Sequence, residues 1–167
     1  MLKPGKEALI VIDVQKGFIN KNTKKVVNYI TSRIDSHSYD CVIATQFVNN
    51  DESMFVKQLK YTKNMSDDEV CLDVSIAERA DFIIRKDTYS PDEELYYYLK
   101  DNNIKRVTIV GIDTDGCVLS TMYLLFDLGI EVFVDILGCA STGGAKMHNH
   151  AVEIMKRSFG IHHVLNA

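Results

Sequence analysis

The sequence predicts an α/β fold, a single-domain three-layer sandwich with a mostly parallel, Rossmann-like sheet of five to six strands. Short apolar runs rich in Val and Ile recur along the chain without polar alternation, as in strands that are covered on both faces. These runs alternate with longer segments of helical periodicity, and such alternation is typical of parallel sheets. The 167 residues contain no linker composition and no internal repeat, so we expect one domain over residues 1–167.

The predicted strands follow from the apolar runs. The first run, ALIVI, ends before Asp13, and the second, CVIATQF, begins at Cys41. A short final segment is predicted as a sixth strand at the edge of the sheet. In chain order, the predicted strands cover residues 8–12, 41–47, 82–84, 107–110, 131–136 and 162–165.

The predicted helices lie between these strands and carry apolar residues on the side that faces the sheet. Ser90 and Pro91 suit the N-cap and the first position of a helix, so one helix is predicted to begin there. The last helix is predicted to bury Ile154 and Phe159, among others. The predicted helices cover residues 22–36, 91–102, 117–128 and 145–158, with a helical turn at 54–59 inside an irregular stretch.

Composition and charge exclude several classes of function. The net charge is −4 and the basic residues are scattered, so no nucleic-acid partner is expected. No apolar run is long enough to span a membrane, and the first residues lack the pattern of a signal peptide, so a cytoplasmic protein is expected. The four cysteines include no C-x-x-C pair, which argues against a zinc ribbon or a thioredoxin motif. We interpret Cys41 and Cys139 as small buried hydrophobic residues.

Three chemically useful side chains follow three different predicted strands. Asp13 follows the first strand, Lys86 follows the third, and Cys117 follows the fourth, at or near the first turn of a helix. In an open α/β sheet, such strand ends converge on one crevice. The positive end of the helix would favour ionisation of the thiol. An acid, a cation and a thiol in one crevice form an arrangement that activates a nucleophile.

Three sequence motifs coincide with these strand ends, and a fourth pattern follows late in the chain. They are D-x-Q-x-x-F (Asp13, Gln15 and Phe18), K-x-x-x-S (Lys86 to Ser90), G-x-x-T-D-x-C-V (Gly111 to Val118), and Cys139-Ala140-Ser141 followed by His148 or His150 and by Phe159-Gly160. With these motifs the sequence resembles the isochorismatase-like family of cysteine hydrolases, which includes nicotinamidases and other hydrolases of small amides. The resemblance extends over essentially the whole chain.

The resemblance implies a catalytic triad of Asp13, Lys86 and Cys117. It also implies a cis peptide bond between Ile112 and Asp113, with the backbone N–H groups of Asp113 and Cys117 forming an oxyanion hole. In this arrangement Asp13 takes the thiol proton as Cys117 attacks and returns that proton to the leaving amine. Lys86 balances one negative charge, and water hydrolyses a thioester intermediate.

The stretch after the second strand departs from the family pattern. Nicotinamidases carry an Asp-x-His…His metal site there, whereas residues 45–51 of this chain contain no histidine. All five histidines lie elsewhere, at positions 37, 148, 150, 162 and 163. We therefore expect no metal site of that kind, no other cofactor, and no nicotinamidase activity that depends on such a site.

Five residues near the strand ends are expected to line a pocket for a small, planar, polar substrate. They are Gln15, Phe18, Phe47, Asn49 and Tyr89. The tyrosines at positions 96–98 cannot all face one side of a helix, and the predicted helix 117–128 is apolar nearly all round. Both features favour a homo-oligomer, either a dimer or a tetramer. His148 and His150 are expected to be solvated or to form local caps.

Three kinds of function are considered on the sequence alone. The first is a metal-independent cysteine hydrolase that acts on a small amide or a related C–N bond through a thioester, and the intact triad favours it. The second is a non-catalytic binding or assembly protein that keeps the same core. A third possibility, vinyl-ether hydrolysis of the isochorismate type, relies on Asp and Lys and has no need of the thiol of Cys117.

Overall fold

Six strands form one sheet in the computed structural model, which describes residues 5–37 and 39–167. The sheet order is β3-β2-β1-β4-β5-β6, and each of the pairings between neighbouring strands is parallel. The sheet is thus fully parallel within the described residues, including its sixth edge strand. The strands are β1 (Lys6–Ile12), β2 (Cys41–Phe47), β3 (Phe82–Lys86), β4 (Ile104–Ile112), β5 (Glu131–Ala140) and β6 (Val164–Leu165).

The direction of the chain through the sheet reverses between β1 and β4. The chain first adds strands outward from β1 to β3, then returns to place β4 beside β1, and continues outward to β6. The crevice at the carboxyl ends of β1 and β4 is therefore a topological switch point, where open α/β sheets bind their ligands. Asp13 follows β1 and Cys117 follows β4, so both side chains lie at this position.

Helices cover both faces of the sheet and complete the three layers. One face packs against α1 and α4, and the other packs against α5, α6 and α7. The short helices α2 and α3 lie in the long connection between β2 and β3. The helices are α1 (Lys25–Ser36), α2 (Met54–Leu59), α3 (Asp67–Val70), α4 (Val74–Ala77), α5 (Glu93–Asp101), α6 (Leu119–Asp127) and α7 (Ala145–Phe159).

The central strand β1 shows why the apolar runs have no polar alternation. Ala8, Ile10 and Ile12 point into one core, and Leu9 and Val11 point into the other. Successive side chains of a strand face opposite sides of the sheet, and here both sides are covered. Cys41 and Cys139 are buried in the same sheet, at 8% and 2% exposure, as predicted.

Several strands extend beyond their apolar runs. β3 continues to Lys86, β4 to Ile112 and β5 to Ala140. The apolar run marks only the part of a strand that is covered on both faces, whereas backbone pairing continues wherever a neighbouring strand offers partners. This extension matters for function because it places Lys86 in the last position of β3, directly at the carboxyl edge of the sheet.

Besides the helix that carries Cys117, the helices α1 and α5 begin later than predicted, and one predicted core residue is exposed. The side chain of Asp92, rather than Ser90, caps α5 by accepting a hydrogen bond from Glu94 N at 3.0 Å. Ile154 is 44% exposed because the buried face of α7 is formed by the residues on either side of it. None of the helices in the described part of the chain has the length and apolar character needed to cross a membrane.

The start of the helix that carries Cys117 also differs from the prediction. Residues Thr114–Val118 form a wide π-helical turn before α6 begins at Leu119. The carbonyl of Asp113 accepts hydrogen bonds from Gly116 N and Val118 N, both at 3.1 Å. Single π-turns of this kind are frequent at functional sites. Cys117 therefore lies within the turn itself and not in the first turn of a regular α-helix.

Candidate active site

Asp13, Lys86 and Cys117 meet at the carboxyl edge of the sheet. Lys86 Nζ lies 2.6 Å from Asp13 Oδ2 and 3.5 Å from Cys117 Sγ, and it also donates to Thr88 O at 3.0 Å. The three residues are 0%, 6% and 7% exposed, respectively. The ammonium group is thus held between a carboxylate and a thiol in a nearly dry environment.

Asp13 is held in place by its own backbone and by Thr45. Its φ of +49° lies in the left-handed region, which residues other than glycine rarely adopt, although Asp and Asn do so more often than most. Thr45 Oγ1 donates to Asp13 Oδ1 at 2.6 Å and accepts from Asp13 N at 3.1 Å. Sequence reasoning missed Thr45, although a polar residue in the middle of a buried strand is a signal that its hydroxyl has a specific partner.

The charges around Cys117 favour the protonated thiol in the resting state. Burial raises its pKa well above the ordinary value, the negative charge of Asp13 raises the pKa further, and Lys86 opposes both effects. Burial and Asp13 therefore outweigh the groups that would favour the thiolate. Burial also lowers the pKa of Lys86, but Asp13 and Cys117 together outweigh this effect, and the Lys86 pKa is raised.

The turn between β4 and Cys117 is tightly packed against β1. The peptide bond between Ile112 and Asp113 is cis, as the resemblance implied. Gly111 has a φ of +132°, and a Cβ atom there would lie 2.2 Å from the carbonyl oxygen of Ile12. The Asp113 carboxylate accepts hydrogen bonds from Thr142 N at 2.5 Å and from Thr142 Oγ1 at 2.8 Å. Only glycine fits at position 111, and Thr142 fixes the side chain that follows the cis bond.

A cavity of about 210 Å³ opens above Cys117. Its walls are mostly aromatic, and the rings of Phe47 and Phe55 lie 4.8 Å apart, with Tyr89 a further 4.7 Å from Phe55. Drug-sized ligands occupy pockets of about 300–1,000 Å³, so this cavity suits a smaller molecule. The cavity is lined by Phe18, Phe47, Phe55, Leu59, Tyr61, Tyr89, Asp113, Gly116 and Cys117.

Two of the five predicted pocket residues lie behind the cavity wall. Phe18, Phe47 and Tyr89 line the cavity, but the side chains of Gln15 and Asn49 do not. Both amides are buried, and buried polar groups take up hydrogen-bond partners within the protein.

The hydrogen bonds of these two amides account for the difference. Gln15 exchanges two hydrogen bonds with the backbone of Phe47, each of 2.8 Å. Asn49 Nδ2 donates to the carbonyls of Tyr61 and Lys63, at 2.9 and 3.1 Å, and its Oδ1 accepts from Ser53 Oγ. Their role is to hold the strand ends and the following loop in place.

Three lining residues were missed because they belong to the irregular stretch after β2. Phe55 and Leu59 lie on α2, and Tyr61 follows that helix. Two aromatic residues in an otherwise polar stretch were the available signal. Large aromatic side chains in a surface loop need a reason, and a ligand cavity is one such reason.

The residues after β2 do not fit the metal site that the resemblance places there. Both polar atoms of the Asn49 side chain are occupied by protein partners, and Asn50 Nδ2 donates to Asp87 Oδ2 at 3.1 Å. Across residues 5–37 and 39–167, no three His, Cys, Asp or Glu side chains are arranged to hold a metal ion. Zinc prefers imidazole, thiolate and carboxylate ligands, and the amides at these two positions are not such ligands.

His148 is half-buried and pairs with a residue distant in sequence, whereas it was predicted to be solvated or to form a local cap. Its Nδ1 pairs with Thr114 Oγ1 at 2.8 Å, which joins α7 to the turn that carries Cys117. Burial lowers the pKa of His148, and the charge of Lys25 lowers it further, so the imidazole is neutral at neutral pH. His150 is exposed, in keeping with the prediction.

Comparisons with known proteins agree with this architecture. The family model described as the isochorismatase domain matches residues 7–163. No curated protein matches the chain. An isochorismatase-like hydrolase from Alkaliphilus metalliredigens superposes with a TM-score of 0.82 at 18% identity, over 91% of each chain.

Two further solved structures resemble the chain and have names that refer to C–N bonds. The nicotinamidase of Staphylococcus aureus has a TM-score of 0.74 at 25% identity, over 93% of this chain and 94% of its own. The N-carbamoylsarcosine amidase of Thermoplasma acidophilum has a TM-score of 0.79 at 20% identity, over 93% of both chains. From the match of the domain model over nearly the whole chain, we conclude that the protein belongs to the isochorismatase family and is a hydrolase.

Proposed function

We propose that this hydrolase cleaves a small amide or a related C–N bond through a thioester on Cys117. The observation that carries the proposal is the contact of one ammonium group with both partners, because Lys86 Nζ lies within 2.6 Å of Asp13 Oδ2 and 3.5 Å of Cys117 Sγ. This group lies beneath a cavity that the thiol itself helps to line. A nucleophile, a base and a charge-balancing cation in mutual contact are the parts that covalent catalysis needs.

The proton movements follow from the charges. In the resting enzyme Cys117 is a thiol, Asp13 is a carboxylate and Lys86 is an ammonium. Asp13 takes the thiol proton as the S–C bond forms, and it returns that proton to the nitrogen as the C–N bond breaks. Water then attacks the thioester, Asp13 takes its proton, and the same proton returns to sulfur as the S–C bond breaks. Lys86 keeps its proton throughout and balances the negative charge that moves between the other two groups.

The backbone N–H groups of Asp113 and Cys117 are proposed to stabilise the tetrahedral oxyanion. Both residues line the cavity, and Thr142 holds the Asp113 carboxylate away from the reacting carbonyl by two hydrogen bonds. Donors that are fixed before the reaction stabilise developing charge without a reorganisation cost. The tight packing of Gly111 against Ile12 supports such a fixed geometry.

The cavity favours a small planar substrate without a carboxylate. Five of its lining residues are aromatic, and its single charged lining residue among the described ones is Asp113, a carboxylate. A flat amide can lie against these rings, whereas an anionic substrate would meet repulsion. This charge balance disfavours vinyl-ether hydrolysis of the isochorismate type, whose substrate is a dicarboxylate. The names of the amidase and the nicotinamidase among the similar structures are consistent with a C–N bond.

Ammonia release from a panel of small primary amides tests this function. The wild-type enzyme should release ammonia from at least one amide, and Cys117→Ser should not. Treatment with hydroxylamine during turnover should trap the acyl group as a hydroxamate, because thioesters react with amine nucleophiles. A wild-type protein that binds amides without cleaving any of them would support the non-catalytic alternative instead.

The reactivity of Cys117 can also be compared with that of the other cysteines, and this measurement needs no substrate. Cys71 is exposed and would react with iodoacetamide in any case, so the measurement is made in a Cys71→Ser background. Cys41 and Cys139 are buried, and within residues 5–37 and 39–167 neither sulfur accepts a hydrogen bond from a lysine as Cys117 does from Lys86. We expect Cys117 to be alkylated fastest, and equal slow reaction of the three thiols would argue against an activated nucleophile.

We also propose that the protein forms a homo-oligomer, a dimer or a tetramer. Of the three adjacent tyrosines on α5, Tyr98 stacks on Phe82 at 4.4 Å, whereas Tyr97 is 52% exposed. On α6, Tyr123 and Phe126 are 40% and 54% exposed. Exposed aromatic residues of this kind are enriched at subunit interfaces. Sedimentation velocity measures the state directly, and a monomer at micromolar concentration would contradict the proposal.

A further inference from the structure

The hydroxyl group of Tyr61 has no role in the proposed mechanism. Tyr61 lines the cavity together with Asp113 and Cys117. The hydroxyl oxygen accepts a hydrogen bond of 2.7 Å from Asn64 Nδ2. A tyrosine hydroxyl has one proton to donate, so the orientation of Asn64 decides where that proton can go.

The orientation of Asn64 is set by a chain of hydrogen bonds that begins at the backbone. Phe47 N can only donate, and it donates to Gln15 Oε1 at 2.8 Å. This fixes the Gln15 amide, whose Nε2 donates to Phe47 O at 2.8 Å and to Asn64 Oδ1 at 3.4 Å. Because Asn64 Oδ1 faces a donor, its Nδ2 group must face Tyr61. Each amide in the chain therefore has only one orientation that satisfies its neighbours.

Packing also holds Asn64 in place. The residue is fully buried, has a φ of +57°, and accepts a hydrogen bond from Asn49 N on its carbonyl at 2.8 Å. The lack of a side chain at Gly17 makes room for it, since a Cβ atom there would lie 1.8 Å from Asn64 Oδ1. Rotation of the amide is thus opposed both by sterics and by the loss of buried hydrogen bonds.

The hydroxyl proton of Tyr61 cannot be used for the contact with Asn64, and the Tyr61 side chain lines the cavity. Within residues 5–37 and 39–167, no protein acceptor lies within hydrogen-bond distance of the Tyr61 hydroxyl as donor. Burial raises the pKa of Tyr61 to about 12, so the hydroxyl remains protonated across the physiological range. A protonated donor that has no protein acceptor, beside the nucleophile, is suited to bind an acceptor atom on a ligand.

We propose that Tyr61 is a substrate-binding residue that donates a hydrogen bond to a second acceptor atom on the substrate, beyond the amide that is cleaved. The substrates are then small amides that also carry a ring nitrogen, carbonyl or ether oxygen. Gln15 and Asn64 are positioning residues that act through Tyr61. This proposal rests on the proposed amide hydrolysis.

Binding to a catalytically silent variant tests the proposal without relying on turnover. Calorimetry on Cys117→Ala compares benzamide with the three pyridinecarboxamides, which have nearly the same shape and place an acceptor nitrogen at three ring positions. A neutral hydrogen bond of about 0.5–1.5 kcal/mol corresponds to roughly a 2- to 10-fold difference in affinity. At least one pyridinecarboxamide should bind more tightly than benzamide by such a factor.

Two further substitutions should remove that preference by different routes. Tyr61→Phe deletes the hydroxyl group that donates to the substrate. Asn64→Asp replaces the amide with a carboxylate, which accepts a hydrogen bond from the Tyr61 hydroxyl, so the hydroxyl no longer donates into the cavity. In both variants the ratio between the affinity for the preferred pyridinecarboxamide and the affinity for benzamide should fall to about one. Tyr97→Phe, on the exposed face of α5, is the matched control and should keep the preference.

The outcomes separate this proposal from the proposed reaction. Equal affinities for all four amides in Cys117→Ala, no measurable binding of any of them, or a preference that survives Tyr61→Phe would each overturn the role of Tyr61. Ammonia release by the wild-type enzyme is measured separately and bears only on the reaction. A preference that Asn64→Asp preserves would show that Asn64 does not orient the hydroxyl.

Discussion

Two fully buried carboxylates in this protein have basic partners but different surroundings. Asp13 pairs with Lys86 at 2.6 Å at the end of β1. Asp135 lies within β5, where Arg33 Nε is 3.4 Å away, Tyr29 donates at 2.9 Å and Asn166 at 2.8 Å. Both carboxylates are 0% exposed. By burial and charge alone, the two groups would be equally good candidates for a functional site.

Asp13 and Asp135 differ in whether their charge is shared with a group that a ligand can reach. The donors around Asp135 come from α1, from the end of the chain and from Leu137 N, so its oxygens are occupied by groups that join parts of the fold. Around Asp13, the cation also contacts a thiol that lines a cavity. A buried ion pair therefore indicates function only when it shares its charge with a reactive group that a ligand can reach.

The largest effect is expected for the nucleophile. Cys117→Ala should lower kcat by more than about 10³-fold, because no other group in the cavity can form the covalent intermediate. Its effect on the free energy of unfolding should be no more than about 1 kcal/mol, the typical cost of a single substitution. Steady-state kinetics and urea denaturation measure the two quantities. Substantial turnover by this variant would remove Cys117 from the mechanism.

For Asp135, we expect substitution to lower the stability of the protein and to leave its activity unchanged. Asp135→Ala should lower the free energy of unfolding by about 3 kcal/mol, because it removes the ion-pair partner of Arg33 and the hydrogen-bond acceptor of Tyr29. The kcat of the folded fraction should remain that of the wild type. Asp135→Asn keeps one acceptor oxygen and should cost less. A large loss of kcat in folded Asp135→Ala would place this cluster in the catalytic machinery and would end the contrast with Asp13.

The two partners of Cys117 should move its reactivity in opposite directions. Lys86 lowers the pKa of the thiol and Asp13 raises it. The midpoint of alkylation against pH should therefore rise in Lys86→Met and fall in Asp13→Asn, measured in a Cys71→Ser background. Each variant should also lose about 10²-fold or more in kcat/KM, as expected for the loss of a group that handles charge or protons. Shifts of the same sign would mean that the two residues do not flank the thiol as proposed.

The smallest effect concerns the tyrosine that contacts Asp135. Burial, and then its hydrogen bond to Asp135, raise the pKa of Tyr29 to about 12 from about 10. A raised pKa means that the folded protein holds the proton more tightly, so this contribution to stability is complete below pH 10 and is lost as the pH rises towards 12. Tyr29→Phe should therefore lose less stability than the wild type between pH 9 and 11, as measured by urea denaturation. Equal losses of unfolding free energy in the wild type and in Tyr29→Phe would contradict a raised pKa for Tyr29.

Much of the fold and the identities of the three central residues could be predicted from the sequence. Apolar runs covered on both faces mark the strands, and polar residues directly after such runs mark the carboxyl edge of the sheet. Asp13, Lys86 and Cys117 were identifiable for that reason, and the motif around Cys117 pointed to the family. These signals are local, because each depends on the order of residues within a few positions of a strand end.

The tertiary structure decided which polar groups remain available for chemistry. Gln15 and Asn49 were expected in the pocket but satisfy hydrogen bonds behind its wall, whereas Tyr61 lines the cavity and accepts a hydrogen bond from Asn64, whose side chain in turn contacts Gln15. The protonation of Cys117 likewise depends on how deeply the fold buries it. A sequence specifies each donor, acceptor and charge, but hydrogen bonding and desolvation depend on partners that are distant along the chain, and only folding brings those partners together.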